Sequence, residues 1–311
     1  MSELHVRCAV RSATRSLASL LLVLGCVTAH GVEAQEVKLA WQFRPGDTHV
    51  YLQTNSSRSE TPVGDVTQAQ TIRMRKDVLA VGPDGAADLR VTHEAFQMET
   101  DGPMGRQRYD SESGEPAPDL GTKILGQMVG TSFQVTMKPD GGIRQVSGMD
   151  EIFARLLAAY REDSPETDAE VEAMLEGMLD AEHAEAQMQQ MIHALPSDPV
   201  APGAEWSTEM VLHLPMGTAL TEYTYRLEEV VVRDGRRVAV IGITGRMGPM
   251  QMADNPIAAM LEITGLDLTG TMEFAVDRGL VLRTSATTVM EAAVMGMTMR
   301  VEGTSGMDLV E

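Results

Sequence analysis

Much of the chain alternates apolar and polar residues with a period of two, the signature of strands with one buried face. Val37, Leu39, Trp41 and Phe43 alternate ahead of the turn Pro45-Gly46-Asp47. Residues 67–81 and 87–98 read as two extended runs joined by Gly82-Pro83-Asp84-Gly85, a hairpin signal. Phe133, Val135 and Met137 alternate before Pro139-Asp140-Gly141-Gly142. Further on, Trp206, Met210, Leu212 and Leu214 share one parity, and Tyr223, Tyr225 and Leu227 share another. Leu266, Leu268, Met272, Phe274 and Val276 alternate before Asp277-Arg278-Gly279.

The period changes in the middle of the chain. Ile152, Phe153, Leu156, Leu157 and Tyr160 have helical spacing. Ser164-Pro165-Glu166 then predicts a second helix, with Ser as N-cap and Pro at the first helical position. Val171, Met174, Leu175, Met178, Met188, Met191 and Ile192 carry its apolar stripe toward Leu195-Pro196. Glu166, Asp168, Glu170, Glu172, Glu176 and Asp180 make its opposite face acidic, as a solvated helix face or a docking surface would be.

The two β-rich parts resemble each other. Arg44-Pro45-Gly46-Asp47 answers to Ala201-Pro202-Gly203-Ala204, and the turn at Asp84-Gly85 to the one at Asp234-Gly235. Gly130 to Val135 answers to Gly270 to Val276, which pairs Phe133 with Phe274. The expected fold class is therefore α+β and predominantly antiparallel β. Two pseudo-repeated meander halves form a curved sheet or half-barrel, with a helical pair between them. The segments are a signal peptide at 1–34, a first β-rich half at 35–148, a helical segment at 149–196 and a second β-rich half at 197–311, one compact domain overall.

Residues 1–34 follow the grammar of an export signal. Arg7, Arg11 and Arg15 precede an apolar run from Leu17 to Val27, and Val32-Glu33-Ala34 offers a cleavage site. As a helix that run reaches only ~16 Å, too short for a ~30 Å hydrocarbon core. Val23-Leu24-Gly25-Cys26 also resembles a bacterial lipobox, which would make Cys26 a lipidation site and the protein membrane-anchored. Both readings send the protein out of the cytoplasm, to the periplasm or beyond.

Charge and cysteine content narrow the chemistry. The chain has 311 residues, 25 basic and 45 acidic, for a net charge of −20. That argues against nucleic acid and anionic membrane surfaces as partners. The only cysteines are Cys8 and Cys26, so cleavage after Ala34 leaves no thiol for disulfides, zinc or nucleophilic catalysis. No transmembrane segment is expected after signal removal.

Several short motifs carry a resemblance to an uncharacterised family of exported bacterial proteins, a domain of unknown function. They are Pro45-Gly46-Asp47, Tyr109-Asp110-Ser111, the Gly130 to Gly142 hairpin, and Leu195-Pro196 with Pro199-Val200, Gly203 and Trp206. Ala204 stands where that pattern has Asp. The resemblance implies no activity. In outline the chain is also similar to the curved-sheet periplasmic lipoprotein carriers, an architectural likeness that implies an acyl-chain cavity lined by residues such as Phe133, Met137, Phe274 and Met297.

Residue chemistry offers few active-site motifs. The histidines after the signal, His49, His93, His183, His193 and His213, form no HExxH pair. His93 falls on the parity of Leu89, Val91 and Ala95, which reads as a core or pocket residue. Asp110, Glu112 and Glu115 lack calcium-loop spacing. Met295, Met297 and Met299 put three thioethers on one strand face, with Met247, Met250 and Met252 as a second group. Thioethers favour Cu(I), but methionine also fills aromatic-poor cores, and aromatics are only 4% of this chain. No nucleophile elbow, phosphate loop or dinucleotide fingerprint occurs, so neither a cofactor nor a catalytic residue is assigned. The expectation is a non-enzymatic exported protein that binds a lipid or other apolar ligand inside the curved sheet. The alternatives are a periplasmic or surface interaction protein with an acidic docking face, a Met-rich copper binder, and a hydrolase.

Overall fold

Twelve strands and two helices follow one another along the chain in the computed structural model, which describes residues 36–61, 64–103, 105–163, 195–214, 217–252, 261–294 and 297–310. The strands are β1 (Thr48–Thr61), β2 (Gly64–Val81), β3 (Ala87–Gly102), β4 (Gly105–Asp110), β5 (Ser132–Met137), β6 (Ile143–Ser147), β7 (Glu205–Leu214), β8 (Gly217–Arg233), β9 (Arg236–Met252), β10 (Leu261–Ala275), β11 (Leu280–Val294) and β12 (Met297–Leu309). The helices are α1 (Leu120–Gly126) and α2 (Met149–Asp163).

All twelve strands belong to one antiparallel sheet, in the order β6-β5-β3-β2-β1-β12-β11-β10-β9-β8-β7, with β4 added on β3. Two meanders meet where β1 pairs β12, from Tyr51 opposite Leu309 to Ser59 opposite Val301. The described hairpin turns, at 82–86, 138–142, 234–235 and 276–279, are short and rich in Asp, Gly and Pro, whereas α1 lies between β4 and β5 and α2 between β6 and β7. Asp234 and Gly235 both take positive φ, as a two-residue hairpin between β8 and β9 requires.

The sheet is open but strongly curled, as one short segment shows. Val37 and Val200 exchange backbone hydrogen bonds of 2.9 Å just ahead of β7. Four residues later, the Trp41 amide donates to the Pro139 carbonyl just after β5, at 2.8 Å. Four extended residues span at most ~14 Å. Laid flat, β5 and β7 would stand roughly 40 Å apart at ~4.8 Å per strand. The ends of the sheet therefore come round toward each other at this level. The Gln42 amide also donates to the Gly279 carbonyl in the β10–β11 turn, so residues 37–42 form a floor across the mouth of a half-barrel.

Two apolar clusters rest on that floor. One holds Leu227, Ala239, Ile241, Met272 and Phe274, each with no exposed surface, together with Val37 and Leu39 from the floor segment. The other holds Val78, Leu89, Val91, Phe133, Val135 and Met137, capped by Ile152 of α2. Trp41 packs against both, its ring edge-on to Phe274 at 5.7 Å.

The helix expected from residue 150 is α2. The second expected helix, residues 164–194, lies outside the described residues, as does the signal at 1–34 with Cys26 and the Ala34 cleavage site. β4 and α1 were not expected. α1 opens on Asp119, whose carboxylate accepts from the Thr122 amide at 2.8 Å and from its hydroxyl at 2.9 Å. That is an N-cap, but the seven-residue helix is too short to show a periodic stripe. No helix among the described residues is long and apolar enough to cross a membrane.

Candidate functional site

Strand register fixes what lines the inside of the curl. Directly paired residues share a face, so Ile72, Gln53, Met307, Thr284, Met272, Ile241 and Leu227 form one row across it. Rows closer to the floor belong to the packed clusters. Farther out on β7–β12 the inner face carries Met210, Tyr223, Leu266, Leu268, Met290 and Val301, all half-buried. On β1 and β2 the same face carries Gln53, Asn55, Ser57 and Gln70. The inner face thus divides into an apolar lane and a polar lane running away from the floor. Thr221 sits between Met210 and Met247 on the apolar lane, 1% exposed, with a hydroxyl that finds no partner.

The polar lane ends at the floor in a group of four side chains. His49 and Tyr51 face inward from β1, Lys76 from β2 and His93 from β3. Lys76 lies between the inward residues Met74 and Val78, and opposite His49 and Val91. Its ammonium stands over the Tyr51 ring, 4.6 Å from the centroid. Burial lowers its pKa to about 8. Among the described residues no carboxylate pairs with it, although salt bridges are plentiful on the outer face, as between Arg73 and Glu112 at 2.7 Å. The Tyr51 hydroxyl donates to the Val281 carbonyl at 3.3 Å, and burial pushes its pKa up to about 12. Burial and then Arg278 hold His49 below the usual imidazole range. His93 is buried beside Phe133, its pKa lowered by desolvation, and its Nδ1 has no partner.

His93 lies on the inner face, but Ala95 does not share it. A β-bulge between Arg73 and Met74 makes β3 accommodate one extra residue, so His93 faces with Met74, Ala95 with Arg73 and Phe96 with Ile72. The bulge corrects the parity read from sequence and turns Phe96 inward.

The other sequence candidates fall as follows. Phe133 and Met137 are buried in one floor cluster and Phe274 in the other. Met299 is half-buried opposite Ala292. Met295 lies outside the described residues, as do the side chains of Met297, Met250, Met252 and His213. His183, His193 and the acidic face at 166–180 also lie outside them. Asp110 closes a turn by accepting from the Glu112 amide at 2.9 Å, and Glu112 pairs with Arg73. Among the described residues no three His, Cys, Asp or Glu side chains converge as metal ligands would. A hollow of about 330 Å³ lies over polar residues of β1–β3, β11 and β12, including Arg58, Thr67, Glu99, Thr287 and Glu302. Register puts those five on the outer face, away from both lanes.

Sequence reasoning missed the inward Lys76. Its signal was present: within the alternation Ile72, Met74, Lys76, Val78 a lysine occupies an apolar parity.

No curated protein matches the chain. Among solved structures, DynF from the dynemicin biosynthesis pathway of Micromonospora chersina aligns at 9% identity over 88% of this chain and 85% of that one, with a TM-score of 0.18, too loose to carry an argument. The family comparison is firmer: a model of a family of unknown function, DUF6263, matches residues 84–309, from the β2–β3 turn to the end of β12, and the chain belongs to that family.

Proposed function

We propose that this is an exported, non-enzymatic protein that binds a lipid or other apolar ligand against the inner face of its curled sheet. The observation that carries this reading is the apolar lane. Met210, Leu266, Met290 and Val301 point inward yet remain half-buried, beyond the clusters that pack the floor. Apolar side chains left partly wet on a concave surface gain about 25 cal/mol per Å² when a ligand covers them. Methionine suits that use, since its flexible thioether adapts to varied shapes. Export rests on the signal grammar of residues 1–34, with lipidation of Cys26 as the alternative to cleavage after Ala34. The like strand order of the two meanders supports an ancestral duplication that built the half-barrel from two copies.

The test is native mass spectrometry of the protein purified from its own cell envelope, followed by extraction of whatever it retains. A co-purifying lipid or other apolar molecule is expected. Met290→Glu should then release it, because a carboxylate in the lane disfavours an acyl chain while leaving the floor clusters intact. A protein that arrives empty and fails to bind a hydrophobic fluorescent probe would refute the reading.

A further inference from the structure

Among the described residues, Lys76 is an inward-facing cation without a counter-charge. It occupies a position of apolar parity on β2, flanked by Met74 and Val78. Its ammonium contacts the face of Tyr51, and no carboxylate among the described residues forms an ion pair with it. Such an arrangement is unfavourable on its own. A desolvated ammonium is normally paired or hydrogen-bonded, and a single cation–π contact offsets only part of the lost hydration. Elsewhere the protein pairs its cations freely: Arg144 with Asp84, Arg233 with Glu273 and Arg237 with Asp277 all form salt bridges.

Its surroundings contain further free polarity. His93 Nδ1 is buried without a partner one row away, opposite Met74. His49 is directly opposite Lys76 across the β1–β2 ladder. The polar lane of Gln53, Asn55 and Gln70 leads from this group along the sheet, beside the apolar lane of β8–β12. The two lanes together match a molecule with one polar end and one long apolar part.

We propose that the floor group of Lys76, His49 and His93 is the headgroup site for an anionic amphiphile, with Lys76 supplying the counter-charge and the apolar lane receiving the chain. This rests on the apolar-ligand reading above and specifies its ligand class: a long-chain carboxylate or phosphate, not a neutral lipid. The ligand's anion replaces the missing partner of Lys76. Tyr51 holds the ammonium in place from the other side, since its own hydroxyl is engaged by the Val281 carbonyl.

Titration calorimetry with dodecanoate, dodecyl phosphate and methyl dodecanoate tests the assignment. These probes share an apolar chain and differ in head. Wild-type protein should bind at least one of the two anions at least tenfold more tightly than the ester, and their ratio identifies the preferred head. Lys76→Met keeps the stem's volume and removes the charge; it should bring the anions down to the level of the ester and leave ester binding unchanged. Lys76→Arg should retain most of the preference. Equal binding of anions and ester by the wild type would overturn the headgroup site and leave the apolar-ligand reading standing, whereas binding of none of the three would overturn both. An unaltered anion preference in a folded Lys76→Met protein would also overturn it. The thermal midpoint without ligand is a second reading: loss of an uncompensated inward charge should raise it, and a fall would count against the assignment.

Discussion

The proton equilibrium of Lys76 gives the site a signature that needs no ligand. Its folded pKa is about 8, below the ordinary 10.5, because burial disfavours the charged form. Below pH 8 both folded and unfolded chains hold the proton, so the burial penalty is fully present. Between about 8 and 10.5 the unfolded chain holds more protons, so stability rises with pH through that window. The whole effect is at most about 3 kcal/mol at 1.36 kcal/mol per pKa unit. Tyr51 works in the opposite sense and at higher pH. Its pKa is pushed up to about 12, so its stabilising contribution is lost as pH rises from 10 toward 12. Urea unfolding at pH 7.5 and 9.5 should therefore show wild type gaining on Lys76→Met as pH rises. A constant difference between the two proteins would show that Lys76 is solvated in the folded state.

Among the elements, the floor segment does more than its length suggests. Val37 and Leu39 are buried in one cluster and Trp41 touches both, so six residues tie two ends of an eleven-strand path together. Leu39→Ala should cost about 2–5 kcal/mol, the range for emptying a fully buried leucine site. Gly279→Ala probes the same seam from the other side. Gly279 has a φ of +61°, and a Cβ there would come within 2.4 Å of the Gln42 backbone nitrogen. The substitution should cost about 2–4 kcal/mol, against about 1 kcal/mol for Gly46→Ala, where φ is also positive but nothing lies within 4 Å. Denaturant midpoints decide both. Strands and turns were legible in sequence because period-two alternation broken by Asp-Gly and Pro-Gly turns has no competing explanation. What sequence could not show is long-range: that the alternating run at Val37–Phe43 crosses the sheet instead of joining it. Only Val37 of that run forms a bridge, because the neighbouring amides bond to turn carbonyls from different strands. The site was less legible still. Phe133 and Phe274 alternate as cavity-lining residues would, yet both lie in the packed floor clusters, because alternation marks an inward face without telling a filled core from a cavity. Lys76 carries little signal in sequence, since most charged residues in strands face water. The bulge that turns Phe96 inward had no sequence mark at all.

At the scale of the whole molecule, stability is distributed unevenly along the strands, and that gradient is open to measurement. β2 alone runs 18 residues, about 60 Å at ~3.3 Å each. Its floor end at Val78 is buried, while Thr67 and Gln68 at its far end are exposed. The inner face of β9 grades more gently, with Ile241 and Ile243 buried near the floor and Met247 half-buried farther out. Ladder hydrogen bonds continue in both directions, but hydrogen bonding alone gives little net stability without apolar burial beneath it. Native-state hydrogen exchange should therefore find the β9 and β10 amides around Ile241 and Phe274 opening only with global unfolding. Amides around Arg58 and Thr67 should exchange at least about 100-fold faster, equivalent to about 3 kcal/mol less protection. Dodecanoate should change that profile in a way that separates the lanes. Covering the apolar lane slows exchange around Leu266, Met290 and Val301, and an anion at Lys76 slows it around His49 and Val91 as well. Lys76→Met should keep the first of these protections and lose the second. Uniform protection along the strands without ligand would mean that the outer rows are as firmly packed as the floor, and would leave no inner surface for a ligand to cover.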